Sequence, residues 1–134
     1  MQRCDIQSIS IEASPQTVLE LVADALRLPD WAPDFARTVR PDGDAWIIES
    51  GEDELRIRIR LSSEHGTVDF LAADVPAGVE LGAFSRVVAN GAGSEYSFTQ
   101  FFSADLPDAD VARRKAVVAE ELRTVRKLCE ESRN

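Results

Sequence analysis

Residues 108–131 read DADVARRKAVVAEELRTVRKLCEE, and this stretch decides how the rest of the chain must be arranged. It contains no Gly or Pro, and nearly every residue in it is an adequate helix former. At about 1.5 Å per residue, a helix of this length reaches roughly 36 Å, the width of a small domain. Val111, Val118, Leu122, Val125 and Cys129 recur at three- and four-residue steps, with Ala119 and Leu128 at the margins of the stripe. Arg113, Arg114, Glu120, Glu121, Arg123, Arg126 and Lys127 occupy much of the remainder. The stretch is an amphipathic helix with one apolar face. Such a face needs something broad to lie against, and the residues before it alternate like a sheet.

Working outward, a chain of 134 residues is one domain by length, spanning 1–134, and is long enough to bury a core. With 44% apolar and 29% charged residues it falls in the ordinary globular range. A formal charge of −9 makes phosphate backbones and anionic membrane surfaces poor partners, so no nucleic acid is expected. No apolar run approaches the roughly 20 residues that span a bilayer, so no stable membrane insertion is expected. The start, MQRCDIQSISIEAS, lacks the apolar core of a secretory signal. Cys4 and Cys129 are too few for a disulfide framework, and a cytoplasmic location is the default.

From the N-terminus, residues 4–12 alternate Ile6 or Ile9 and Ile11 with polar neighbours, as a strand does. Ser14-Pro15 then supplies an N-cap and a first helical position, opening a helix predicted to run to about Leu26 with Val18, Leu21, Val22 and Leu26 on one face. Pro29 stops it. PDWAPDF follows as a short helix or turn carrying Trp31 and Phe35. From Ala36 the period becomes two. ARTVR and DAWIIES form strands around Pro41-Asp42-Gly43-Asp44. In residues 54–61, Leu55, Ile57, Ile59 and Leu61 point one way and Glu54, Arg56, Arg58 and Arg60 the other, so one sheet face is dry and one wet. GTVDFLAAD is a further strand, and residues 79–89 and 94–103 flank the hairpin signal Asn90-Gly91-Ala92-Gly93. The order is strand, two helices, six strands, long helix: an α+β fold whose antiparallel sheet is covered by the terminal helix.

The last hairpin fixes a testable register. With Gly91-Ala92 at its centre, Ala89 pairs with Ser94, Val87 with Tyr96, Ser85 with Phe98 and Ala83 with Gln100. Leu81, Ala83, Ser85, Val87, Tyr96, Phe98, Gln100 and Phe102 then share one face, and Phe84, Arg86, Val88, Glu95, Ser97, Thr99 and Phe101 the other. The second set is assigned to the outside, because it carries Arg86 and Glu95, expected to form a surface ion pair.

Two stretches, ISIEASPQTVLELVADALRLPDWAPDF and SRVVANGAGSEYSFTQFF, together with the order of elements, resemble the START-like (SRPBCC) superfamily. The first is similar to its opening strand, helix start and second helix; the second is similar to the final hairpin of bacterial members related to polyketide cyclases and dehydrases. The resemblance implies a helix-grip fold, in which a seven-stranded, strongly curved antiparallel sheet wraps the long C-terminal helix and leaves a cavity between them. It further implies a hydrophobic or amphipathic small-molecule ligand such as a lipid, polyketide or ring compound, with cyclase or dehydratase chemistry in some members.

On that footing the expected lining is Trp31, Phe35, Ile57, Ile59, Phe70 and one of Trp46 or Ile47, with Ala83, Ser85, Tyr96, Phe98 and Gln100 from the hairpin. Val118, Leu122 and Val125 of the long helix form the facing wall. Ala83 and Ser85 are small and leave room; the plainer alternative is a filled core. Phe84 and Phe101 stand together on the outer face, as a homodimer contact or as residues tucked under a loop.

Chemistry is sparse. His65 is the single histidine and lies in the turn Glu64-His65-Gly66, the place of an exposed residue more than of a catalytic one. No zinc-ligand spacing and no phosphate-binding glycine loop occurs, so neither metal nor nucleotide cofactor is expected. Arg56, Arg58 and Arg60 make a basic row, either an anion site or a ladder neutralised by Glu54, Asp69 and neighbours. Tyr96, Gln100 and Glu49 are the polar groups to consider inside, with Tyr96 placed to orient a carbonyl or hydroxyl. No catalytic residue is assigned. Three readings follow: a small-molecule binding protein, a cyclase-type enzyme, or a module dimerising through its outer face.

Overall fold

A computed structural model of the chain describes residues 1–132. The elements are β1 (Arg3–Ile11), α1 (Pro15–Val22), a 3-10 turn (Ala25–Arg27), α2 (Leu28–Trp31), β2 (Thr38–Asp42), β3 (Ala45–Ser50), β4 (Asp53–Ser62), β5 (Thr67–Ala72), β6 (Gly82–Asn90), β7 (Gly93–Phe102) and α3 (Asp108–Ser132). The strands form one curved antiparallel sheet in the order β1-β7-β6-β5-β4-β3-β2. The first strand thus closes beside the last, which brings α3, the next element, back along β1.

Three ties hold α3 there. Arg3 Nη1 donates to Asp108 at 3.1 Å, Gln7 Nε2 to the Lys115 carbonyl at 2.9 Å, and the Glu12 N–H to a Glu130 carboxylate oxygen at 2.9 Å. Arg3 to Glu12 spans about 30 Å of strand, and Asp108 to Glu130 about 33 Å of helix. The lengths match, so α3 runs alongside β1 for its whole course. Its stripe Val111, Val118, Leu122, Val125 and Cys129 is buried as the periodicity predicts.

The hairpin register is also as predicted: Ser85 pairs with Phe98, Val87 with Tyr96 and Ala89 with Ser94. Gly91, at φ 59°, takes the positive-φ position at the start of the two-residue turn. Gly43, at φ 62°, does the same between Asp42 and Ala45, one residue later than the predicted turn. Pro41 consequently lies within β2, where an edge strand tolerates it.

Four local expectations need correction. α1 ends at Val22, because Asp24 accepts the Leu26 N–H at 3.1 Å and starts a new 3-10 turn. Leu26 is therefore not on the core face and is 60% exposed. β6 begins at Gly82, which leaves Leu81 at the rim and 49% exposed. Arg86 and Glu95 are not partners: Arg86 donates to the His65 carbonyl, and Glu95 accepts from Ser10 and Asn90. Those neighbours on the flanking strand and turns lie closer than the diagonal charge.

The outer face of β4 is a neutralised ladder. Arg56 meets Asp42 and Asp74, Arg58 meets Asp44, and Arg60 meets Asp69 and Glu80; Glu54 pairs instead with Arg40. Such exposed pairs each contribute about 0–1 kcal/mol.

Candidate functional site on the concave face

Alternation along each strand, combined with the register, lays the inward side chains in rows across the sheet. One row is Ile59, Phe70 and Ala83; the next is Val68, Ser85, Phe98 and Gln7; the next is Val87, Tyr96 and Ile9. Trp46 pairs with Ile57 and shares its inward face, which resolves the choice between Trp46 and Ile47. Glu49, three residues on, turns outward and pairs with Arg40 at 3.0 Å, so it is not an interior group.

Trp31 comes in from α2 above this floor. Its ring meets Phe70 edge-on at 6.1 Å, and Phe70 meets Phe98 at 6.3 Å, giving an aromatic line across the floor. Trp31, Ile57, Phe70, Ser85 and Tyr96 are buried, as are Val118, Leu122 and Val125 on the facing helix. That helical wall is closed, its three residues packed into the core. The open part of the inner face is formed by Phe35, Trp46, Ile59, Ala83 and Phe98, which pack on the core yet stay half-buried. Leu55 and Leu61, on the same face of β4, are exposed at either end of that strand.

Gln100 lies at the polar end of this floor. It donates to Asp5 at 3.1 Å, and Gln7 donates to the same carboxylate at 2.9 Å. It stands two residues beyond Phe98 on the same face of β7, and four residues of extended chain, about 13 Å, from Tyr96.

Among the described residues three buried donors, Arg3 Nε, Trp31 Nε1 and Tyr96 Oη, make no well-aligned hydrogen bond; Tyr96 has the Ser85 hydroxyl beside it, and Trp31 Nε1 has no acceptor. Burial raises the Tyr96 pKa well above the usual phenol value, a hydrogen bond with the Ser85 side chain works against the rise, and the charges of Glu121 and Cys129 add to it. The Ser85 hydroxyl itself donates to the Val68 carbonyl at 2.7 Å.

Glu121 is the group that the sequence reading did not single out. It sits three residues after Val118 and four before Val125, at the edge of the apolar stripe, and that spacing was the available signal. Burial, and secondarily the nearby Asp34 charge, push its pKa up to about 7. Cys129 is buried and Cys4 exposed, both free; burial pushes the Cys129 thiol up to about 11. His65 is exposed beside Glu64. Among the described residues no group of three or more His, Cys, Asp or Glu could hold a metal.

Elsewhere, open clefts of ≈ 790 and ≈ 490 Å³ lie at the two ends of α3, beside Arg126 and Glu130 and beside Asp108 and Lys115 respectively. Neither is lined by a residue of the aromatic floor. On the outer face Phe84 and Phe101 meet edge-on at 6.1 Å, with Phe101 exposed. No described helix is long and apolar enough to cross a membrane.

A curved seven-stranded sheet gripping a long C-terminal helix, with two short helices between the first two strands, is the START-like fold. Solved structures of the same architecture include an aromatase/cyclase, Zhui, from a Streptomyces species, with 17% identity over 100% of this chain and 97% of that one at a TM-score of 0.70. A START superfamily protein from Mycobacterium smegmatis matches over 98% and 99% at 12% identity and a TM-score of 0.69. The Aha1 dimer from Colwellia psychrerythraea matches over 96% of each chain at 16% identity and a TM-score of 0.73. No family model matches the sequence, and no curated protein matches it.

Proposed function

We propose that the protein binds a hydrophobic or amphipathic small molecule, such as a lipid, polyketide or ring compound, between the sheet and α3. The observation that carries this is the half-open inner wall. Trp46, Ile59, Ala83 and Phe98 point toward the helix but stay partly uncovered, while their neighbours are closed. Apolar surface on a concave face with few polar groups is what ligand sites are made of. The ligand would occupy the side of Trp46 and Ile59, with Phe35 and Phe70 beside it. Two free cysteines are in keeping with a cytoplasmic location.

The test is native mass spectrometry of protein purified without detergent, followed by titration with apolar fluorophores. One retained or added molecule per chain is expected, with loss of binding in Ala83→Phe, which fills the wall. Failure of every apolar probe to bind would sink the reading.

A second reading, a cyclase-type enzyme, draws on one observation: the fully buried Tyr96 hydroxyl on the inner face beside Ser85, which could polarise a substrate carbonyl. If Tyr96→Phe left the product distribution of a reactive polyketone the same as with wild type, that reading would be wrong. For the outer face, the Phe84–Phe101 pair supports a homodimer. Light scattering of wild type and Phe101→Asp decides it, with a concentration-dependent dimer expected only for wild type.

A further inference from the structure

Resting on the small-molecule reading above, we propose that the ligand is uncharged, that it presents a carbonyl or comparable acceptor oxygen to Trp31 Nε1, and that carboxylate-headed lipids are excluded.

The first support is what the interior offers. An indole N–H can only donate, and Trp31 Nε1 is buried with nothing to donate to. Trp31 is 3% exposed, so bulk water does not satisfy it. Buried donors of native proteins are nearly always paired, and one left over calls for a partner supplied from outside the chain. Ser85 does not supply an acceptor at the Trp31 end, because its oxygen lies on the sheet floor between Val68 and Tyr96.

A second support is what the interior withholds. The sheet rows that carry Trp46, Ile59, Phe70, Phe98 and Tyr96 contain no Lys or Arg. Arg56, Arg58 and Arg60 project from the opposite face and are engaged by carboxylates. Arg3 lies at the far end and is tied to Asp108 and to the Ser103 and Leu106 carbonyls. Arg27, whose charge is felt at Cys129, is exposed and paired with Asp30 at 2.6 Å. The charges that do approach are negative: Glu121, felt at Tyr96, and Asp34, felt at Glu121.

A ligand carboxylate brought here would lose its hydration and gain no cation, each an unfavourable change. The protein's own Glu121 already reports this environment, since burial holds on to its proton. A ketone meets none of these penalties and satisfies the Trp31 donor. A plain hydrocarbon meets none either, but leaves that donor unpaired.

Three probes of one shape separate these cases: acetonaphthone, ethylnaphthalene and naphthoate, titrated against wild-type protein at neutral pH by tryptophan quenching. The ketone is expected to bind about tenfold tighter than the hydrocarbon, since one satisfied buried donor is worth on the order of 1 kcal/mol or more. Naphthoate is expected to be the weakest. In Trp31→Phe the ketone-to-hydrocarbon ratio should fall toward one. Equal binding of ketone and hydrocarbon, or tightest binding of naphthoate, would overturn the inference while leaving apolar binding intact. Failure of all three probes would overturn the binding reading and this inference together. The wild-type comparison decides the matter even if a variant does not fold.

Discussion

The two halves of α3 lie along the same strand, yet they face unlike surfaces. The N-terminal half, around Val111 and Lys115, lies over Arg3, Asp5, Gln7 and Gln100, a hydrogen-bonded polar patch on the inner face. The C-terminal half, through Val118, Leu122, Val125 and Cys129, lies in the closed apolar core with Trp31 and Tyr96. Both halves carry the same amphipathic pattern. A helix stripe states which side is buried and is silent about what it meets.

The contrast can be broken most directly at Leu122. Leu122→Ala should cost about 2–5 kcal/mol by denaturant unfolding, because the site is packed on all sides. A loss below about 1 kcal/mol would mean that the wall borders space, not core.

Glu121→Gln sharpens the same half. The free carboxyl titrates near 4.5 and the folded one near 7, so the folded state holds the proton more tightly. The stabilisation this gives is complete below 4.5 and is lost as pH rises through 7. It amounts to about 1–3 kcal/mol after allowance for partial exposure. Urea midpoints across that window should fall with pH for wild type and stay flatter for the variant, which becomes the more stable protein on the alkaline side. Parallel curves would remove Glu121 from the buried wall.

At the polar half the effects should be smaller. Gln7→Ala removes bonds to Asp5 and to the Lys115 carbonyl and should cost about 1 kcal/mol. A loss as large as that of Leu122→Ala would erase the distinction between the halves.

The last difference needs no stability change. Cys4 is exposed at the polar end, while Cys129 is buried at the apolar end with its pKa near 11. One thiol should react quickly with an alkylating reagent in the native protein and two after unfolding, read by intact mass. Two fast thiols would show that the helix end is open.

Much of the fold could be read in advance, for reasons that can be traced to particular residues. Gly91-Ala92 fixed the pairing of Ser85 with Phe98 and Val87 with Tyr96, since a two-residue turn leaves no other register. The helix-grip order followed from seven period-two stretches and one long period of 3.6. The misses fall at ends and at charges. Leu26 and Leu81 obeyed the right period but lay just past the ends of their elements, where hydrogen bonding by Asp24 and the late start of β6 set the boundary. Glu49 was misassigned because one residue of phase in β3 separates inside from outside. Glu121 went unnoticed because a charge at the edge of a stripe looks like any solvated charge until another element covers it.

Taken alone, the sequence determined which faces are apolar, where the chain turns and how the last hairpin pairs. These depend on backbone geometry and nearest neighbours, which are local. The tertiary structure alone decided that Trp31 Nε1 lies buried without an acceptor, that Glu121 is covered, and that Ile59 and Trp46 stay half-uncovered. Exclusion of water at a point depends on every element that meets there, so no single segment encodes it.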